Sequence, residues 1–248
     1  MENLSLLELA AAGLVVMVAF GVRGTAGFGG QAIAVPLLTL MLPLPVVVPA
    51  MTALVVLSSL AHWLRDWRSI VWREIARLAP FTLAGVLIGL YVFQVADPRA
   101  LTRAFGAFVI LYAGFTLITA ARALPIPKGY LWPFGALLST TAGVVGTVFG
   151  SAAGPLYVIY LNALRLDKDS FRVTITTVLL FQALMRVAGY APLGFYDRAT
   201  LLLAAAALPM MLIGTRIGNL LAGRVEQHVF NVSVALVLMV SGTALLLK

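Results

Sequence analysis

No cysteine occurs among the 248 residues, which removes disulfides, thiolate metal ligands and cysteine nucleophiles, and leaves the compartment open by any redox argument. Acidic residues number only nine and histidines two, and the histidines form no His-Glu-x-x-His pair, so a metalloprotease site is excluded. Serine chemistry is the enzymatic alternative that composition leaves open. Charged residues of both signs make up 10% of the chain against 62% hydrophobic residues. With a mean hydropathy of +1.03, that balance leaves too little polar surface for a soluble globule of this length.

What is present is a series of apolar runs. Leu78 to Ala96 and Leu201 to Gly214 carry no charge, and Leu4 to Gly21 is interrupted by Glu8 alone. Their lengths approach the roughly 20 residues that a helix needs to cross an apolar layer of about 30 Å. No Lys or Arg precedes the first run and similar runs follow it, so it reads as a span rather than a cleavable signal peptide. The surplus of eight positive charges would suggest nucleic acid in a soluble protein, but here the basic residues sit between hydrophobic segments and speak to topology instead.

Ten apolar segments are expected, at about 4–22, 30–43, 46–64, 76–96, 100–120, 131–148, 154–165, 171–190, 200–221 and 228–247. All are expected to be helical, since an isolated segment in lipid must satisfy its own backbone hydrogen bonds and no barrel-strand alternation is seen. The segments form two sets of five. Gly21-Val22-Arg23-Gly24-Thr25 reappears as Gly143-Val144-Val145-Gly146-Thr147, and Gly30, Leu37 and Thr52 match Gly154, Leu161 and Thr176. Pro80, Gly85 and Gly89 match Pro209, Gly214 and Gly218, giving each half a G-x-x-x-G that lets a neighbouring backbone approach. Chance coincidence of glycines is the competing reading of any single match.

Residues 1–122 and 123–248 are therefore expected to be two repeats within one membrane domain. Because each holds an odd number of spans, the second enters from the opposite side, an inverted repeat of the kind that builds transporters. Twelve of the 17 basic residues fall in the odd-numbered loops, including Arg65, Arg68, Arg73 and Arg77, which puts those loops in the cytoplasm and both termini outside. Trp63, Trp67, Trp72 and Trp132 lie near the same boundary as an aromatic belt.

Two segments are too short to cross. Gly30 to Pro43 is 14 residues, about 21 Å as helix, and Gly154 to Arg165 is 12, about 18 Å, so each is expected to start inside the membrane. Unpaired N–H groups and the positive end of the dipole at such a start are both satisfied by an anion. The turns before them are glycine-rich: Gly27-Phe28-Gly29-Gly30-Gln31, and Phe149-Gly150-Ser151-Ala152-Ala153-Gly154-Pro155. Glycine permits close backbone approach, and Pro155 at a helix start costs no hydrogen bond. Tight helix packing is the competing use of the same glycines.

The stretch Gly27-Phe28-Gly29-Gly30-Gln31-Ala32-Ile33-Ala34-Val35-Pro36-Leu37-Leu38 resembles the first signature of the sulfite exporter TauE/SafE family of membrane anion transporters. The second copy, Gly150 to Leu161, is similar but looser, with Ser151-Ala152-Ala153 in place of further glycines and Tyr160 near the usual proline. The resemblance implies transport of sulfur-containing oxyanions such as sulfite, sulfonates or thiosulfate.

The candidate substrate contacts are the turn residues Phe28, Gly29, Gly30, Gln31, Gly150, Ser151, Gly154 and Pro155, together with polar side chains on nearby helices. Of these, Arg23 offers a fixed charge and planar donors, or else simply ends the first span at the cytoplasmic face. Thr25, Thr52, Thr147, Tyr157 and Thr176 offer hydroxyls, although threonine also bonds back to its own helix. His62 and Arg186 occupy matched helix positions and, with Gln182, are gating or substrate candidates, or else snorkel to the interface. Asn162 is a weaker candidate.

The acidic residues fall in loops or at segment ends, so no midplane carboxylate stands out as a proton relay or Na⁺ ligand. The reading is an all-α polytopic transporter of a small inorganic or organic anion in a bacterial inner (cell) membrane, exporting it down the membrane potential. Lipid is its other partner, nucleic acid is not one, neither metal nor cofactor is called for, and a homo-oligomer is left open. A carrier of a cation or neutral solute, or a non-transporting subunit of a membrane complex, are the rival readings.

Overall fold

The computed structural model describes residues 6–26, 29–66, 69–119, 131–150, 153–221 and 227–248. Among them are ten helices: α1 (Leu6–Ala26), α2 (Gly30–Thr39), α3 (Leu44–Asp66), α4 (Trp72–Val95), α5 (Pro98–Thr119), α6 (Leu131–Phe149), α7 (Ala153–Ala163), α8 (Lys168–Tyr190), α9 (Arg198–Leu221) and α10 (Gln227–Leu247). Of these, α4, α6, α8 and α9 are long and apolar enough to cross a membrane by their described residues. The chain is an all-helical polytopic membrane protein. Outward faces carry Leu87, Tyr91, Leu111, Leu220 and Val240, all more than half exposed and suited to lipid.

Local chemistry sets the helix ends. Asp167 accepts from the N–H groups of Asp169 and Ser170 to cap α8, and Asp197 accepts from the Thr200 N–H, which hold both carboxyls below the ordinary carboxylate range. The cap starts α8 three residues earlier than the apolar pattern suggests. At the other extreme, α1 runs past residue 22 to Ala26, so Arg23 lies inside a helix rather than at a span end. Prolines 36, 49, 80 and 209 sit inside helices, a position that membrane bundles tolerate when neighbours re-satisfy the freed carbonyls.

Every major helix crossing joins one half of the chain to the other: α1 with α9, α4 with α6, α5 with α10, and α3 with α8. The closest crossings are made at glycine. A Cβ on Gly214 would stand 2.1 Å from the Met17 carbonyl oxygen, and one on Gly218 2.0 Å from that of Gly21. In the same way a Cβ on Gly85 would stand 2.1 Å from the Thr140 carbonyl oxygen, so α4 meets α6 as α9 meets α1. Within this frame α2 packs on α1, α3 and α10, and α7 packs on α6 and α8. The core between them is dominated by fully buried α2 and α3 residues, among them Val35, Leu38, Val47, Met51 and Leu54.

Candidate functional site

The two short helices, α2 with ten residues and α7 with eleven, span only about 15 and 17 Å, so each has an end within the bundle. Gly29 precedes α2 with φ +91°, a left-handed conformation that only glycine adopts freely, and no side chain caps the helix start it makes. In the second half α6 ends at Phe149, and Gly150 turns the chain with φ +67° while its N–H donates to the Gly146 carbonyl at 3.0 Å. Three residues later α7 begins at Ala153.

Both helix starts line one cavity of about 40 Å³. Gly29, Gln31 and Ala32 come from the α2 side, and Gly150, Ala153, Gly154 and Pro155 from the α7 side. Arg23 reaches it from α1 and Val55 from α3, while α8 supplies Leu179, Gln182, Ala183 and Arg186. Gly30 lies at the α2 start without lining the cavity, close enough to α1 that a Cβ there would meet the Ala19 carbonyl oxygen at 2.8 Å.

The electrostatics of this cavity are one-signed. Arg23 is 6% exposed and donates through Nη2 to Ser59 Oγ on α3. Arg186 is 2% exposed and donates through Nη2 to Thr52 Oγ1, also on α3, while its guanidinium carbon lies 6.0 Å from the Tyr190 ring centroid. The Arg186 Nε and the Gln31 Nε2 are buried without an acceptor. Among the described residues no carboxylate lines the cavity, and the ion pair seen is Arg77 with Glu74, elsewhere in the bundle. Buried cations and donors without acceptors are costly unless something of opposite sign arrives.

The remaining candidates are placed differently. Thr25, Thr147 and Thr176 donate their hydroxyls to carbonyls of their own helices, at Val22, Gly143 and Arg172, and do not line the cavity. Thr52 also bonds its own helix at Val48, and in addition accepts from Arg186. Tyr157 is fully buried, pairs with Thr82 at 2.9 Å and does not line the cavity. Gln182 lines the cavity and donates to the Ala142 carbonyl at 2.6 Å. Asn162 is exposed. Phe28, Ser151 and the His62 side chain lie outside the described residues.

Sequence reasoning passed over Ser59, although it follows Thr52 by two helical turns on the same apolar helix, a spacing that places both on one face. It also passed over the apolar wall, because Val55, Leu179 and Ala183 look like any other packing residues. For Arg186 the sequence leaves two readings, a gating or substrate residue or one that snorkels to the interface. The structure buries it because Thr52 and the Tyr190 ring supply the polar company that water would otherwise give.

The family model for the sulfite exporter TauE/SafE matches residues 10–245. The chain belongs to that family. A "Probable inner membrane transporter protein TsaS" from Comamonas testosteroni is 30% identical over 192 residues, covering 76% of this chain and 77% of the relative. No solved structure matches the chain. Membership of a TauE/SafE transporter family accounts for the all-helical architecture and for the signature: its described part, Gly29 to Leu38, forms the α2 wall of the cavity and the core behind it.

Proposed function

We propose that the protein carries a small sulfur-containing oxyanion, of the sulfite, organosulfonate or thiosulfate type, out of the cell across a bacterial inner membrane. The anion is held between the starts of α2 and α7. One observation carries this reading: two buried guanidinium groups and an unpaired Arg186 Nε converge on a cavity whose described lining contains no carboxylate. Each short helix presents its start, the positive end of its dipole, to the cavity, and the two add to the field there. A cation carrier would need carboxylates or converging carbonyls there, and two buried arginines would oppose its ligand.

Alternating access fits the two-repeat reading. Exchanging α1–α5 with α6–α10 carries α1 on α9 into α6 on α4, and α3 on α9 into α8 on α4, while α5–α10 and α3–α8 map onto themselves. This correspondence supports an inverted repeat with the site between the halves. With a negative cytoplasm, each elementary negative charge leaving releases about 2.3 kcal/mol per 100 mV, so export needs no coupling ion.

The test is thermal stabilisation of the purified protein by sulfite, thiosulfate, sulfate, methanesulfonate and chloride. Occupancy at about 100 times Kd is expected to add about 2.7 kcal/mol to the stability of the folded state. No shift with any anion at high concentration would remove the proposal.

A further inference from the structure

Three charged side chains in the described residues are buried: Arg23, Arg186 and Glu74. Glu74 is accounted for. It accepts from Arg77 at 2.8 Å and from the Tyr160 hydroxyl at 2.6 Å, on the side of α4 that packs against α7 residues. The other two are both positive, and they line the same cavity. Each hangs from α3 by one Nη, Arg186 at Thr52 and Arg23 at Ser59, and these anchors are neutral hydroxyls seven residues apart, about 10.5 Å along the helix. Val55 lines the cavity between the anchors.

We propose that the ligand of this cavity is a compact dianion, with one negative charge matched to each guanidinium. The inference rests on the anion reading above and makes it specific. A guanidinium does not lose its proton to escape burial, so its charge must be answered by a ligand or remain unanswered. A monovalent anion would neutralise one arginine and leave the other buried against neutral hydroxyls. A dianion answers both. It also has oxygens enough to accept from the free Arg186 Nε and Gln31 Nε2 at once. The cavity, about 40 Å³, has room for a small oxyanion. Thiosulfate, sulfate and the doubly ionised form of sulfite belong to the favoured class. Chloride, nitrate and methanesulfonate do not.

The test uses the intact protein in detergent and in liposomes. Binding of thiosulfate and sulfate is compared with that of methanesulfonate, nitrate and chloride by calorimetry at constant ionic strength. The expected result is a preference of at least about tenfold for the dianions, since the second charge gains a charge-assisted hydrogen-bonding partner. Arg23→Gln and Arg186→Gln are each expected to weaken dianion binding by about tenfold or more while moving monovalent binding much less, so that the preference collapses. In liposomes, the number of charges moved per labelled anion is expected to approach two. If monovalent anions bind the wild-type protein as tightly as divalent ones, the dianion proposal falls while the anion site stands. If no anion binds, both fall. The wild-type comparison decides the matter even if a variant fails to fold.

Discussion

Gly29 and Gly30 are adjacent, yet the structure uses them for opposite reasons. A Cβ on Gly29 would meet nothing within 4 Å, so its φ of +91° alone demands glycine. Gly29→Ala is accordingly expected to cost about 1–2 kcal/mol, seen as a lower melting midpoint of the anion-free protein. A Cβ on Gly30 would press on the Ala19 carbonyl oxygen and on the Arg23 Cβ at 3.0 Å, so packing demands glycine there. The residue scale is also where sequence reading reached its limit. Turn residues were legible as a group because a glycine-rich break in an apolar chain has few uses. Individual hydroxyls were not: Thr52 and Thr176 occupy matched positions, both bond to their own helix, and among the described residues only Thr52 also meets a guanidinium. That difference is made by a side chain 134 residues away, and no local pattern encodes it.

At the scale of elements, all ten helices were legible, since hydrophobic runs of this length in lipid have no alternative to helix. Their ends were less so. Caps such as Asp167 and Asp197 shift a boundary through hydrogen bonds that hydropathy does not register. The G-x-x-x-G spacing announced close crossings in α4 and α9, though not their partners, which are α6 and α1. Gly218→Ala is expected to destabilise the protein by about 1–3 kcal/mol, because its Cβ would overlap the Gly21 carbonyl oxygen and push two helices apart. Gly114→Ala, whose Cβ meets nothing within 4 Å, is the control and should leave the melting midpoint unchanged or slightly higher. Equal effects of the two substitutions would contradict the close-crossing account.

Over the whole molecule, the export proposed above would move net negative charge, so the membrane potential would set its direction. Efflux of labelled thiosulfate from liposomes is expected to accelerate when the interior is made negative by a potassium gradient; a rate indifferent to the potential would count against electrogenic export. At this level hydropathy made the all-helical membrane architecture legible in sequence, whereas the convergence of α1, α3 and α8 on one cavity depends on packing across the halves. The glycine crossings carry a further consequence for how such a molecule works. Where backbones touch through Gly214 and Gly218 or through Gly85, sliding either helix by one residue would drive a side chain into a carbonyl group. In the alternating-access reading proposed above, the α1–α9 and α4–α6 pairs would then travel as two stiff girders, with opening toward either face taken up by the joints around α2, α7 and the α3–α8 seam.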